Sequence, residues 1–333
     1  MTSITLYRSP KESALLAEMV EVFLEGFQPA QELPRFLFSF ELDEFGRDDY
    51  FYDLLRESPE AFEGAWGAIL IRSSSKLHTK EFAKEVVFQL NSVGAGFIGH
   101  PLVEAVEDEL NMRKWAKNLG VSSQKALFEN CRQLGGRLGS FFPEKKENLL
   151  VIHANSRPRE SNTMAFYREV EKHLNLESID VEIVKEEVAD CAACGFETCG
   201  YFSELGTCYH KGHFTDILLQ KIEEAGGIMF LAPNYNDALS ARIMSMINRM
   251  SVLYRKGPFY DKYLFALIVS GNSGSDSVAK QLLGALSINK GFMLPPWFFR
   301  HAIANDPGEI HRTFKELKAE SESFSRHIEE YLK

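Results

Sequence analysis

The sequence of 333 residues predicts an α/β protein whose C-terminal part folds around a parallel sheet. From Asn148 onward, apolar strand-like runs alternate with amphipathic helical patterns, which is typical of a parallel sheet with helices on both faces. The run 265–269 is continuously apolar, as expected for a strand buried on both faces. Polar loops follow several of these runs. Together these features predict a doubly wound, five-stranded sheet in residues 146–333.

The elements of this part follow from the same periodicity. The predicted strands are 149–154, 181–184, 227–232, 263–270 and a short one near 291–294. The predicted helices are 163–174, 215–225, 238–254, 277–288 and 307–333.

Residues 1–145 predict a smaller α/β accessory domain whose role the sequence does not indicate. Predicted strands at 36–40 and 68–71, predicted helices at 12–27 and 79–90, a glycine-rich tight loop at 94–101 and a mainly helical stretch at 103–140 make up this domain. The strand at 68–71 runs into Arg72, Ser73, Ser74 and Ser75. That loop is either a second phosphate or substrate loop or the ordinary cap of the next helix.

Charge and composition exclude several classes of protein. A net charge of −10 argues against a general nucleic-acid binder, which needs a basic surface, and against binding to anionic membranes. The sequence contains no apolar run near the roughly 20 residues of a membrane span. No secretory signal is visible at the N-terminus, so we expect a cytoplasmic protein with reduced cysteines.

The loop 155–163 is the strongest candidate for binding a ligand. It joins the buried strand 149–154 to a helix, and the first N–H groups of a helix bind anions well. Ser156, Ser161, Asn162 and Thr163 add polar side chains, and Arg157 or Arg159 adds a guanidinium. The loop therefore indicates either a phosphate site or an ordinary capped helix.

Two further loops follow strand ends at the same edge of the predicted sheet. Residues 233–237 combine an aromatic ring with amides, and residues 271–274 are rich in glycine, which allows close approach of a ligand. In parallel α/β sheets, ligands bind beyond the carboxyl ends of the strands. A phosphate on the first loop and a planar ring against the other two describe a mononucleotide such as FMN.

The motifs of these loops resemble those of the flavodoxin-like NAD(P)H-dependent FMN reductases, including their iron–sulfur flavoprotein branch. The family opens with Gly-Ser-Pro-Arg, two variable residues and Ser-Asn-Thr; here the run is Asn-Ser-Arg-Pro, Arg-Glu and Ser-Asn-Thr at 155–163. The second family motif is Ser-Pro-x-Tyr, then Ser-Ala and Ile-Asp-Arg. Here it reads Ala-Pro-Asn-Tyr at 232–235, Ser-Ala at 240–241 and Ile-Asn-Arg at 247–249. The resemblance spans about 148–295.

The resemblance implies a flavodoxin-like fold that binds FMN and takes electrons from NAD(P)H. The residues implied at the phosphate are Asn155, Ser156, Arg157, Ser161, Asn162 and Thr163. Those implied along the ring are Pro233, Asn234, Tyr235, Asn236, Asp237, Ser270, Gly271, Asn272 and Gly274. No catalytic acid or base is predicted, since the cofactor carries the chemistry.

The predicted activity is transfer of electrons from NAD(P)H through FMN to a flavin, a quinone, an aromatic compound or a protein acceptor. Relatives of this kind commonly form homodimers. Two alternatives remain open from the sequence: a non-catalytic flavin or iron–sulfur electron carrier, and an enzyme whose loop binds a phosphorylated substrate.

A cysteine cluster lies between the second strand of this part and the next helix. Cys191, Cys194, Cys199 and Cys208 fall within one short stretch, followed by His210 and His213. Thiolates at such spacing suit a 4Fe-4S cluster or a tetrahedral zinc site. The same cysteines also fit unmetallated thiols near a flavin, including a reactive Cys191–Cys194 pair.

Overall fold

The computed structural model describes residues 4–176, 178–182 and 188–333. The chain divides into two compact units: unit 1 comprises Met1–Pro143 and Leu294–Trp297, and unit 2 comprises Glu144–Met293 and Phe298–Lys333. Within the described residues, no helix is both long enough and apolar enough to cross a membrane.

Unit 1 contains a parallel sheet in which the strands lie in chain order, β1-β2-β3-β4. These strands are β1 (Ile4–Arg8), β2 (Arg35–Leu42), β3 (Trp66–Ser73) and β4 (Gly96–Val106). The helices are α1 (Ala14–Gly26), α2 (Asp49–Glu57), α3 (Thr79–Ser92), α4 (Arg113–Leu119) and α5 (Ser123–Ser140). Phe36, Phe38 and Phe40 of β2 are fully buried, so aromatic packing dominates this core.

Strand β4 corrects the sequence prediction for this part of unit 1. The stretch 94–101 is not a free loop, and 103–106 is not helical, because both contribute to β4. The register jumps from the Gly67–Phe97 pair to the Ile69–Leu102 pair, which leaves residues 98–101 as a bulge. Gly94 and His100 have φ values of 96° and 49°. Of the three glycines in this stretch, only Gly94 has the unusual backbone angle that was predicted, and the stretch belongs to an irregular strand.

Unit 2 contains a parallel sheet in the order β6-β5-β7-β8-β9. The strands are β5 (Leu149–His153), β6 (Ser178–Glu182), β7 (Gly227–Pro233), β8 (Tyr263–Ser270) and β9 (Phe299–Ile303). The chain leaves β5 toward one edge and then continues on the other side of β5, so the strand order reverses between β5 and β7. This is the flavodoxin-like order, in which right-handed crossovers place helices on both faces.

The helices of unit 2 mostly follow the predicted pattern. They are α6 (Asn162–Glu171), α7 (Phe196–Glu204), α8 (Leu219–Glu224), α9 (Ala241–Arg249), α10 (Ser251–Tyr254), α11 (Ser275–Leu282), α12 (Ile310–Thr313) and α13 (Leu317–Leu332). Helix α7, which carries Cys199, was not predicted. Of the predicted strand 181–184, the last two residues lie outside the described residues.

The last strand of the sheet was placed wrongly from the sequence. Residues 291–294 form only isolated bridges, through Met293 and Leu294, whereas β9 lies at Phe299–Ile303. Strand β9 is the edge strand and is only partly buried, with His301 and Ile303 exposed. An edge strand does not need a continuous apolar run, so periodicity favoured the buried stretch before it.

Candidate functional site

A cavity of about 410 Å³ opens at the carboxyl ends of β5, β7, β8 and β9, and we call it the loop cavity. This volume lies in the range of small-molecule sites. It adjoins the point between β5 and β7 where the strand order reverses, the usual ligand position in such sheets. The predicted residues that line it are Asn155, Ser156, Arg157, Ser161, Asn162, Thr163, Pro233, Asn234, Tyr235 and Gly271.

The floor of the loop cavity is the N-terminus of α6. Ser161 caps this helix, and its Oγ accepts a hydrogen bond from Met164 N at 3.3 Å. The N–H groups of the first turn, including those of Asn162 and Thr163, have no partners within the helix and carry partial positive charge. Arg157, whose side chain is 80% exposed, adds a cation paired with Glu160 at 3.6 Å. The arrangement suits an oxyanion.

The side chain of Asn162 has a different role from the one predicted. Its Nδ2 donates to Asp306 O at 2.9 Å, and its Oδ1 accepts from Ile310 N at 3.3 Å. These bonds tie α6 to the loop that follows β9. Asn162 therefore fixes the shape of the loop cavity mainly through its side chain, and offers an anion its backbone N–H.

The loop after β7 forms a tight turn. Tyr235 and Ala238 exchange backbone hydrogen bonds, and the residues between them, Asn236 and Asp237, have φ values of 54° and 57°. Asn and Asp tolerate this left-handed conformation better than most residues. The turn holds Tyr235, which is 52% exposed, at the wall of the loop cavity. Asn236 and Asp237 do not line it.

Asn234 links the loops after β7 and β8. Its Nδ2 lies 3.1 Å from Asp237 Oδ1, 3.2 Å from Ser270 Oγ and 2.8 Å from Ser273 O. Gly274 has a φ of 83°, and a Cβ added there would lie 1.9 Å from Asp237 Oδ1. Only glycine fits this position. Ser270, Asn272 and Gly274 do not line the loop cavity, so Ser270 and Gly274 support its wall from behind.

Two polar atoms beside the loop cavity lack partners among the described residues: Nδ2 of Asn155, a donor, and Oδ1 of Asn234, an acceptor. Asn155 is only 5% exposed. Leaving a buried polar group unpaired costs about 1–3 kcal/mol, so each such group in a native structure needs an explanation, and a bound ligand is one. A ligand that fits accepts a hydrogen bond beside the phosphate loop and donates one beside Asn234. FMN meets both requirements, because it has phosphate oxygens and both hydroxyl and ring N–H donors.

Some cavity residues were missed from the sequence. They are Glu160, Val269, Ala304, Asn305 and Pro307. The last three follow β9 and were missed because that strand was misplaced. Glu309 shapes their loop, since its Oε2 accepts from Asn305 N at 2.6 Å and Asp306 N at 2.9 Å. These bonds, first that from Asp306, lower the pKa of Glu309.

The loop at residues 72–75, which begins at the end of β3 of unit 1, was the other candidate phosphate or substrate loop, and it is organised differently. Arg72 pairs with Glu41 at 2.5 Å, and the fully buried Ser73 accepts from Ser75 N at 3.1 Å. These side chains are already satisfied within unit 1. The contacts favour the reading of this loop as an ordinary turn before α3.

The four clustered cysteines line a second, smaller cavity of about 30 Å³, the thiol cavity. Phe202, Tyr209 and Val252 form its apolar walls. The polar residues His210 and Arg249 also line it. Among the described residues, however, no group of three or more His, Cys, Asp or Glu side chains is placed to hold a metal ion. The donor set as placed therefore does not fit the predicted iron–sulfur or zinc site.

Known proteins were compared with the chain by sequence and by structure. A family model described as NADPH-dependent FMN reductase matches residues 148–304. No curated protein matches the sequence.

Solved structures similar to this chain include RosB with a bound riboflavin-phosphate derivative, at 16% identity, 55% coverage of this chain, 81% of that chain and a TM-score of 0.43. An azoreductase from Bacillus anthracis str. Sterne is 14% identical, and the match covers 56% of this chain and 100% of that chain with a TM-score of 0.39. An NAD(P)H:quinone oxidoreductase from Methanothermobacter marburgensis is 14% identical, and the match covers 55% of this chain and 96% of that chain with a TM-score of 0.42.

The family match covers the sheet from β5 to β9 and every loop that lines the loop cavity except the stretch from Asn305 onward. It confirms the expected oxidoreductase class, while unit 1 up to Pro143 lies outside it. Residues 148–304 are thus similar to the NADPH-dependent FMN reductases, and this match supports an oxidoreductase.

Proposed function

We propose that the loop cavity binds FMN and that the chain passes electrons from NAD(P)H to a small-molecule acceptor such as a flavin, a quinone or an aromatic compound. The observation that carries the proposal is the cavity at the strand-order reversal, which the start of α6 lines together with Asn155 and Asn234, two residues that each have one unpartnered side-chain atom. Bound FMN supplies hydride acceptance and electron transfer. The chain supplies position and electrostatics.

The phosphate would lie at the start of α6. There it receives the free N–H groups of the first turn, the hydroxyls of Ser156 and Ser161, and the guanidinium of Arg157. Asn155 donates from the end of β5. At the other wall, Asn234 accepts a hydrogen bond and Tyr235 offers aromatic surface to a planar ring. Because Tyr235 is half exposed, we expect the nicotinamide and the acceptor to approach from its open side.

The test is titration of the apoprotein with FMN and, in parallel, with riboflavin, followed by flavin fluorescence. We expect FMN to bind at least about 100-fold more tightly, because only FMN carries the group that α6 binds. Steady oxidation of NADPH or NADH with a quinone or free flavin then tests the activity. A protein that binds neither flavin overturns the proposal, and one that binds FMN without turnover is an electron carrier.

A further inference from the structure

The thiol cavity combines features that the FMN site does not use. Its four cysteines are free, Cys191 is exposed, and Cys194, Cys199 and Cys208 are partly exposed. Cys194 Sγ lies 3.4 Å from His210 Nε2. This distance is within hydrogen-bond range for sulfur, so the imidazole can take the thiol proton and stabilise the thiolate.

A guanidinium, that of Arg249, and a carboxylate, that of Asp190, both line the cavity. Arg249 is buried, donates from its guanidinium to His210 O, and lies 4.6 Å from the ring centroid of Phe214. It therefore holds the His210 backbone beside the cavity. Lys290 is also buried, with its Nζ 3.2 Å from Ser251 Oγ. Burial lowers the pKa of Lys290, and a thiolate at Cys191 acts against that shift.

The first two cysteines lie close together in the chain. Cys191 and Cys194 are separated only by two alanines, and Ala193 has a φ of 50°. Asp190 anchors this segment, since its Oδ1 accepts from Cys191 N at 2.7 Å and from Asn248 Nδ2 at 2.9 Å. Both cysteines line the wall of one cavity.

We propose that Cys194, activated by His210, is a peroxide-reactive thiol and that Cys191 resolves it to a disulfide. The Cys194 thiolate attacks one oxygen of a hydroperoxide, the O–O bond breaks, and the alcohol or water leaves with the proton from His210. The product is a sulfenic acid at Cys194. The Cys191 thiol then attacks that sulfur, an S–S bond forms, and water leaves. The two sulfurs together lose two electrons, and the hydroperoxide gains them.

Cys131 provides an internal control for this chemistry. It lies on α5 of unit 1, is fully buried, and burial raises the pKa of its thiol to about 12. A thiol of this kind is unreactive in the folded protein. It should stay reduced in every sample, and its labelling reports unfolding.

The experiment treats the full chain with one equivalent of hydrogen peroxide, alkylates the remaining thiols and analyses tryptic peptides by mass spectrometry. Residues 186–211 form one tryptic peptide with all four cysteines, and Cys131 lies in another. We expect the first peptide to lose two hydrogens through a Cys191–Cys194 disulfide. Cys194→Ser should abolish the disulfide, Cys191→Ser should leave a sulfenic acid that a dimedone probe traps, and Cys199→Ser should change nothing.

A second measurement separates chemical activation from a structural role. His210→Gln should slow alkylation of Cys194 by iodoacetamide about tenfold, the factor that a hydrogen bond to a charged group commonly supplies, with Cys131 still unlabelled. Equal rates in the wild type and in His210→Gln overturn the proposal. So do stoichiometric iron or zinc in protein purified without oxygen, or a disulfide that forms through Cys199 or Cys208.

Discussion

The two sheets of this chain are both parallel and both end in polar loops, yet only the sheet of unit 2 carries the loop cavity. In unit 1 the strands follow chain order, β1-β2-β3-β4, whereas in unit 2 the order reverses between β5 and β7. A reversal separates the loops of two adjacent strands and leaves a crevice between them. We therefore infer that sheet order, more than loop composition, decides where this cavity forms.

The polar side chains of the two units also differ in whether they have hydrogen-bond or ion-pair partners. Arg72 and Ser73 of unit 1 have partners within the unit, whereas Asn155 Nδ2 and Asn234 Oδ1 of unit 2 lack partners among the described residues. A satisfied polar loop stabilises the fold, and an unsatisfied one is available to a ligand. The predictions below test this contrast.

The largest expected effect comes from Gly274→Ala, which breaks the wall behind the loop cavity. The new Cβ would collide with Asp237 Oδ1, and the positive φ adds strain of about 1–3 kcal/mol. FMN affinity should fall about 100-fold in flavin fluorescence titrations, because Asn234 and the turn at Tyr235 must move. Gly257→Ala is the matched control, since a Cβ there meets nothing within 4 Å. Equal losses in both variants would contradict the role given to Gly274.

Asn155→Leu should separate binding from stability. The substitution removes the unpartnered donor and keeps the branching and heavy-atom count of the side chain, so FMN affinity should fall about tenfold while the apoprotein keeps or gains stability. Asn91→Leu is the control in unit 1, where Asn91 Nδ2 donates to Ala95 O and Pro295 O. That variant should lose stability by urea unfolding and keep its FMN affinity. A stability loss in Asn155→Leu would mean that the amide is a structural group.

Removing charges from the loop after β5 should change the FMN affinity by smaller amounts, unlike removing a charge from the end of β3. Arg157→Gln should weaken FMN binding several-fold at low salt, and less at high salt, because the cation is exposed and screened. Glu160→Gln should strengthen binding by removing a negative charge beside the phosphate and releasing Arg157. Arg72→Gln, in unit 1, should leave the FMN affinity unchanged. An effect of Arg72→Gln as large as that of Arg157→Gln would place a ligand in unit 1.

The sequence predicted those features of the fold and of the candidate site that depend on residues close together in the chain. The loops after β5 and β7 were located because apolar strands, caps and turn residues lie next to one another in the chain. The walls contributed by Asn305 and Pro307 were missed because β9 is a half-exposed edge strand without an apolar run. The side-chain role of Asn162 was also missed, since its partners Asp306 and Ile310 lie far along the chain. Hydrogen bonds between residues far apart in the chain produce no periodic pattern in the sequence.

The smallest expected effect concerns pH, where one acidic group in each unit should act with opposite sign. In unit 1, burial raises the pKa of Asp48, against weaker hydrogen bonds from Ser9 and Tyr50 N. A folded-state pKa above the unfolded value means that stability falls as pH rises through the folded pKa. Asp48→Asn keeps a good N-cap for α2 and removes the buried charge. It should raise Tm by about 2 °C at pH 7, and the gain should vanish in acid.

In unit 2, the pKa of Glu309 is lowered by the N–H groups of Asp306 and Asn305. Its contribution to stability is therefore present above the unfolded pKa and is lost as pH falls through the lower folded value. Glu309→Gln should lower Tm slightly at pH 7 and match the wild type in acid, the reverse of Asp48→Asn. Calorimetric scans of both variants from neutral to acidic pH measure the two signs. The same sign in both variants would show that the two carboxylates do not differ in the way their surroundings indicate.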